Sequence, residues 1–324
     1  MLEDEGHGRE IAPGVSFAAR MSPPESAHPH RPFEPVVEAA LLLMCVFWAL
    51  NVIVLKVLLR GLTPAALSAG RYFLVSALAV VVATARGGPW TVARRDLPRA
   101  LLSGVLGVAL YQVLFMEGLK RTSAFATNLL QGTEPLFALG LLSTFAGARV
   151  TARQWGGVLV ALAGAGLFFV EGTAGEGRLA FGVGDLLNLA GALVFALYGL
   201  VSGPLFSRYP GHTAMMVTMV TGTIPLAAWA QADLRAVSWT QLGPAVWVAL
   251  LFSSLLPLYL GMWIWNWAVV RKGLDHASLY IFVDIVLSGF FAYALLGERF
   301  GLRRLLGAAI ILTGVYLARS GEEA

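Results

Sequence analysis

The chain alternates between long apolar runs and short breaks that carry charged residues, glycine and proline. A helix that crosses a bilayer needs about 20 mostly apolar residues, and runs of this kind recur along the whole sequence. Helices are the expected structure because lipid offers no hydrogen-bond partner to an open backbone. The pattern predicts an all-α membrane protein with ten transmembrane helices, at residues 36–58, 64–84, 97–117, 123–145, 152–170, 182–203, 212–230, 242–268, 276–295 and 301–318.

Two stretches depart from this regular pattern. Residues 1–35 are polar, rich in Pro, His, Glu and Gly and without a helical period, which predicts a disordered N-terminal tail. The run 242–268 contains Pro244 and Pro257. Because proline interrupts helical hydrogen bonding, this run predicts either one kinked helix or a helix that begins before the membrane.

The composition excludes most soluble classes of protein. Hydrophobic residues make up 57% of the 324 residues and charged residues 13%, with a mean hydropathy of +0.73, whereas about 25% of residues are charged in soluble domains. The single cysteine, Cys45, allows neither an intrachain disulfide nor a four-cysteine zinc site. The sequence has no nucleotide-binding, zinc-protease or serine-hydrolase motif, so we expect no enzyme activity, no cofactor and no metal.

The charges give the orientation of the spans. Lys and Arg near the span ends are in mild excess on the side of the N-terminus, mostly between Arg86 and Arg99. The positive-inside rule therefore predicts a cytoplasmic N-terminus. An even number of spans returns the C-terminus to the cytoplasm, in a multi-pass protein of the cell (inner) membrane.

The second half of the chain repeats the first. At a shift of 150 positions, residues near the fifth span meet residues near the tenth: Gly147, Arg149, Arg153, Gly157 and Gly164 correspond to Gly297, Arg299, Arg303, Gly307 and Gly314. A shift of 147 to 148 aligns the first span with the sixth and pairs Tyr111 with Tyr259. Each copy holds five spans, an odd number, so we predict two inverted five-helix repeats, at 36–170 and 182–318. Inverted repeats with a binding site at their interface are a transporter architecture.

Short motifs in both halves resemble the EamA family of the drug/metabolite transporter superfamily. They are Gly118–Ala124, Glu134-Pro135, Gly147-Ala148-Arg149 and Gln154–Gly157 in the first half, and Gly297-Glu298-Arg299 with Gly307 and Gly314 in the second. The resemblance covers residues 36–318. It implies ten helices, cytoplasmic termini, a central cavity between the repeats and export of amino acids or related metabolites, as in YddG-type exporters of aromatic and other amino acids. Two positions depart from the family pattern: Ala148 stands where Glu is frequent, and Asp284-Ile285 where Glu-Pro is frequent.

Charged residues inside the spans are the first candidates for a substrate site, because they are costly in lipid. Glu134 and Asp284 lie mid-span, 150 positions apart. They could bind a substrate amine or a proton, or could be hydrogen-bonded packing groups. Arg71 could bind a substrate carboxylate, extend to the membrane interface or pair with Glu117.

Amides and aromatic rings inside the spans complete the candidate substrate site. The amides should face the interior; they are Asn51, Gln112, Asn128, Gln131 and Asn266. The spacing of Asn128, Gln131 and Glu134 puts all three on one helix face, which predicts either a cavity wall or a helix–helix hydrogen-bond seam. The aromatic candidates for a pocket are Trp48, Tyr111, Tyr198 and Tyr280.

These features predict a secondary transporter that exports amino acids, aromatic and other mostly neutral ones, by alternating access. The alternative is an exporter of other small metabolites or cationic drugs, which would suit Glu134 and Asp284. A phosphate substrate would need several basic residues, and only Lys56 and Arg71 lie within the spans. The expected partners are the small-molecule substrate and the lipid bilayer, with no nucleic acid; proton coupling and facilitated diffusion both stay open.

Overall fold

The computed structural model describes residues 34–145, 151–170, 182–272, 274–298 and 301–319, and these ranges contain helices and no strand. The predicted N-terminal tail, apart from its last two residues, lies outside the described residues. The same is true of the Gly147-Ala148-Arg149 motif and of Arg299. The all-helical fold predicted from the apolar runs is confirmed for the part that is described.

The long helices follow the predicted runs to within a few residues, and we number them in chain order. They are α1 (Pro35–Leu58), α2 (Pro64–Ala85), α3 (97–121), α4a (Ala124–Gln131), α4b (Glu134–Phe145), α5 (Ala152–Val170), α6 (Val183–Arg208), α7 (Gly211–Trp229), α8 (244–272), α9 (Leu274–Leu296) and α10 (Leu302–Arg319). Short helical turns at Arg94–Asp96, Gln231–Ala236 and Trp239–Gln241 lie in the connections.

Several helix starts are fixed by local chemistry. Proline stands in the first turn of α1, α2 and α8, where its missing N–H costs nothing. Thr63 caps α2 by accepting from the N–H of Ala66 at 3.2 Å, and Ser123 caps α4a in the same way at 3.0 Å. At the start of α5, Thr151 and Gln154 exchange two hydrogen bonds in a capping box.

Two helices contain a π-helical segment at equivalent places. The first π segment, Val105–Leu110, interrupts α3, and the second π segment, Ser254–Gly261, interrupts α8. A shift of 150 positions superimposes the first on residues 255–260 of the second. The second segment contains Pro257, so the run 242–268, which predicts a kink or an early start, is one helical run with a local change of pitch. Such π segments occur frequently at functional sites.

The fourth predicted span is broken, whereas the ninth is continuous. A turn at Gly132 and Thr133 separates α4a from α4b. Pro135 has no N–H to donate to the carbonyl of Gln131, four residues earlier, which explains the interruption. The equivalent position in α9 is Ile285, which keeps its N–H, and α9 runs unbroken.

The helix packing is reciprocal between the two halves of the chain. Helix α1 packs against α9 as α4b packs against α6, and α3 packs against α6 as α1 packs against α8. Helices α5 and α10 form the most extensive pair. Their backbones meet at glycines: a Cβ added to Gly314 would lie 2.3 Å from the nitrogen of Ala161, and one added to Gly164 would lie 2.6 Å from that of Ile311.

The distribution of polarity is that of a membrane protein. Large apolar side chains such as Val81, Leu159, Ile224 and Val286 are 62–68% exposed, while Arg71 is 1% exposed. Within the described residues, five helices are long and apolar enough to cross a bilayer: Pro35–Leu58, Pro64–Ala85, Arg94–Arg121, Val183–Arg208 and Pro244–Trp265. An apolar outside with a polar inside is the arrangement that a lipid environment favours.

Candidate functional site

The guanidinium of Arg71 lies in the interior between α2 and the second π segment. Its Nη2 donates to the carbonyl of Ser253 at 2.9 Å. Pro257 follows Ser253 by four residues and cannot supply that carbonyl with its usual helical donor, so the proline leaves an acceptor for the arginine. Of the alternatives for Arg71, pairing with Glu117 is not observed, because Glu117 forms its ion pair with Arg121.

Trp48 and Tyr198 each contact one of the two π segments. Nε1 of Trp48 donates to the carbonyl of Pro257 at 2.9 Å. The ring of Tyr198 lies on Gly107, so closely that a Cβ at Gly107 would be 2.3 Å from Cδ2 of the ring. Trp48 and Tyr198 are 150 positions apart, as are Gly107 and Pro257. Both aromatic candidates therefore lie against a π segment, one through a hydrogen bond and the other through ring packing.

Tyr111, directly after the first π segment, is influenced electrostatically by all three charged candidates. Arg71, Glu134 and Asp284 are all within electrostatic range of its phenol. Its ring packs against Phe195 of α6 with the centroids 4.9 Å apart. Charged candidates from three different helices thus act electrostatically on the same phenol.

The predicted polar face of the fourth span is divided by the break at Gly132. Asn128 donates to the hydroxyl of Ser288 in α9, and Gln131 donates to the carbonyl of Asn188 in α6 at 3.3 Å. These two amides therefore form the seam that was one of the two alternatives. Glu134 begins the next helix, so the expectation that it shares one continuous helix face with them is wrong, because the face ends where Pro135 interrupts the hydrogen bonding.

Four of the candidate residues carry a buried polar atom that has no hydrogen-bond partner among the described residues. They are Asn51 (Oδ1), Arg71 (Nε), Gln112 (Nε2) and Asp284 (Oδ1). The same is true of five described residues outside the candidate set: Ser103, Asn188, His212, Thr213 and Thr218. Because buried polar atoms are nearly always satisfied in native proteins, a ligand, an ion or water is expected at such atoms. Of the four candidate atoms, two are donors and two are acceptors.

Two candidates remain, Tyr280 and Asn266. Tyr280 donates its hydroxyl to the carboxyl group of Glu38 in α1, and its carbonyl accepts from Sγ of Cys45 at 3.2 Å. The side chain of Asn266 lies outside the described residues. Glu38 is not among the predicted site residues, although an acid at the start of an apolar run is a visible signal. No cluster of potential metal ligands occurs in the described ranges.

Helices with apolar outer faces and polar groups in their interior define an integral membrane protein. The chain belongs to the EamA-like transporter family, whose model matches residues 37–170 and 182–320. We therefore treat it as a multi-pass membrane transporter.

Individual relatives agree with this membership. A probable terminal-alkyne amino-acid exporter of Streptantibioticus cattleyicolor is 32% identical, over 86% of this chain and 91% of the relative. A probable amino-acid metabolite efflux pump of Escherichia coli is 26% identical, over 85% of this chain and 92% of the relative. A solved crystal structure with 18% identity aligns with a TM-score of 0.63, over 88% of this chain and 97% of the other, which shows the shared fold.

Proposed function

We propose that the protein is a secondary carrier that exports amino acids, aromatic and other mostly neutral ones, by alternating access. In this proposal ten spans form two inverted five-helix repeats, at 36–170 and 182–318, with both termini in the cytoplasm. The observation that carries it is the set of unpaired donors and acceptors in the interior. The names of two relatives, an amino-acid exporter and an amino-acid metabolite efflux pump, support the same substrate class.

The inverted repeat is supported by features that recur at a spacing of 150 positions. The two π segments, the pair Trp48 and Tyr198, and the reciprocal helix packing all follow this spacing or its symmetry. An odd number of spans in each copy inverts the second copy. Two equivalent packings that face opposite sides of the membrane then give alternating access its physical basis.

The unpaired atoms suit both ends of a zwitterion. Arg71 and Gln112 have donors available, which a substrate carboxylate would satisfy, and Asn51 and Asp284 have acceptors available, which an ammonium group would satisfy. Arg71 and Asp284 both lie within electrostatic range of Tyr111. A neutral amino acid would thus satisfy atoms that are otherwise buried at a cost.

The same geometry argues against a phosphate substrate. The second basic residue within the spans, Lys56, donates to the backbone carbonyls of Leu119 and Thr122 at one end of the bundle. Of the two basic residues, Arg71 alone would then remain available to an anion. The aromatic rings of Tyr111 and its neighbours offer instead a surface for an apolar side chain.

The test uses the purified protein in liposomes. Labelled phenylalanine is loaded and its efflux measured against a panel of the twenty amino acids as competitors. We expect competition by neutral amino acids with free carboxyl and ammonium groups, and none by sugars or sugar phosphates. Absence of protein-dependent phenylalanine flux, with flux of another solute in the same vesicles, would refute the substrate assignment.

A second candidate function is efflux of cationic compounds. It is favoured by two carboxyl groups, Glu134 and Asp284, neither of which forms an ion pair within the described part of the chain. Arg71 in the same region disfavours a bare cation through charge repulsion. Flux of a fluorescent organic cation in the same liposomes separates the two functions, because the zwitterion model predicts no flux of the cation and no competition by it.

A further inference from the structure

The turn between α3 and α4a is held by charged side chains from two distant parts of the chain. Lys56, in the last turn of α1, donates to the carbonyl of Leu119 at 2.6 Å and to that of Thr122. Glu298, after the end of α9, accepts from the N–H of Ala124 at 2.8 Å and from that of the next residue at 3.4 Å. We call this arrangement the Lys56–Glu298 clamp.

Each charge in the clamp matches the helix end that it contacts. The carbonyls at the end of α3 carry partial negative charge, and the N–H groups at the start of α4a carry partial positive charge. An ammonium group at the first and a carboxylate at the second therefore stabilise the turn, and charge-assisted hydrogen bonds are the stronger class. The contacts tie α1, the α3–α4a turn and the end of α9 together at one end of the bundle.

The described contacts between α4a and α9 lie in the half of the bundle next to the clamp. Asn128 bonds to Ser288, and a Cβ added to Gly289 would lie 3.0 Å from the ring of Phe125. A Cβ added to Gly132 would lie 2.5 Å from Cδ1 of Ile285. The clamp thus joins the two repeats at the end where their central helices meet.

The opposite end of the bundle has no equivalent residues in the sequence. The repeat shift of 147 to 150 places the mates of Lys56 at positions 203–206, which read Gly-Pro-Leu-Phe and include no base. The mate of Glu298 is Ala148. Neither clamp residue therefore has a charged mate at the opposite end. The ion pairs that join the two halves there are different ones, Arg208 with Asp96 and Arg271 with Glu34, each formed by an exposed arginine.

We propose that Lys56 and Glu298 are gate residues that hold this end of the carrier closed, so that the unloaded protein rests in the conformation open at the other end. The proposal rests on the proposed function, because it assumes that the two repeats alternate. With the N-terminus in the cytoplasm, the clamped end faces outside, and an exporter at rest would accept substrate from the cytoplasm. Neither residue need contact the substrate, so both are positioning residues.

The test measures the opening of both ends by distances between spin labels, in full-length protein with Cys45 replaced by alanine. One label pair, Arg121→Cys and Leu295→Cys, reports the clamped end; a second pair, Thr144→Cys and Ser207→Cys, reports the opposite end. The four labelled positions are all exposed. These distances are read without substrate, so they do not depend on knowing which solute is carried.

Glu298→Gln, Glu298→Ala and Lys56→Met are each compared with the parent protein. We expect a longer distance at the clamped end and a shorter one at the opposite end, with the ratio of the two states shifted by about tenfold, the effect of losing one charge-assisted hydrogen bond. Glu298→Gln should shift it least because the amide oxygen still accepts. The matched control is Asp233→Asn, which removes an acid from the short helix Gln231–Ala236 at the same end and should leave both distances unchanged.

Two results would refute the proposal that the clamp residues act as a gate. If the variants only lower the melting temperature while both distances stay at their parent values, Glu298 is a structural cap. If Asp233→Asn shifts the distances as much as Glu298→Ala does, the effect is a general one of charge at that end. A carrier that moves no amino acid but shows the expected distances would contradict the proposed substrate and leave the clamp standing.

Discussion

Replacing Arg71 tests whether its guanidinium binds the substrate carboxylate. One of its donors is used by the Ser253 carbonyl at 2.9 Å, while Nε has no partner among the described residues. A hydrogen bond to a charged group contributes about 1.5–3 kcal/mol, so Arg71→Met should weaken the binding of an amino acid roughly 10- to 150-fold. Arg71→Lys keeps the charge but loses the planar fork, and should recover only part of the affinity.

The assay compares two ligands within each variant, so that any loss of folded protein cancels. Binding of phenylalanine and of phenethylamine, which lacks the carboxylate, is measured by competition in liposomes. The parent should prefer phenylalanine, and Arg71→Met should lose that preference, as in a double-mutant cycle. Arg60→Gln, a change at an exposed arginine, should keep the preference. An Arg71→Met protein that still favours phenylalanine by the parental factor would show that the carboxylate is bound elsewhere.

Three further predictions use the same purified protein. Asp284→Asn should weaken the binding of phenylalanine at least about tenfold in the same competition assay. The binding of N-acetylphenylalanine, which has no ammonium group, should be unaffected. Trp48→Phe removes the hydrogen bond to the second π segment and should cost about 1 kcal/mol, read as a lower melting temperature. Gly104→Ala would place a Cβ 2.6 Å from the nitrogen of Gly222 and should destabilise by about 1–3 kcal/mol, whereas Gly140→Ala, with no described atom within 4 Å, should not lower the melting temperature.

The fold was readable from the sequence because lipid imposes a simple rule on it. An apolar run of about 20 residues forms a helix, because a helix of that length spans the bilayer and satisfies its backbone groups within the run itself. Only some of the interruptions inside these runs could be predicted from the sequence. Pro257 marked a disturbance in α8, but the first π segment in α3 contains no proline and has no comparable signal. The break before Glu134 follows from Pro135, which the sequence analysis noted without drawing the consequence.

The candidate site was readable as a set of residue types and not as an arrangement. In the sequence, the polar residues within apolar runs cannot be told apart. In the structure, Asn128 donates a hydrogen bond to a hydroxyl of another helix, whereas Arg71 and Asp284 each keep an unpaired atom. That distinction depends on contacts between helices more than 150 positions apart. Glu298 was noted only as part of a family motif, because its partner is backbone, which leaves no trace in side-chain composition.

The two halves of the chain are most informative where they differ. In a carrier built of two identical inverted halves, the two access states would have equal free energy. A substrate would change their ratio only by binding one state more tightly than the other. This chain has Pro135 against Ile285 and Glu298 against Ala148, and the first difference already separates a broken helix from a continuous one. Substitutions that make one half unlike the other necessarily make the two states unequal. An exporter gains from such inequality because its empty form then waits on the side where the substrate is made, and binding supplies the free energy that moves it to the other.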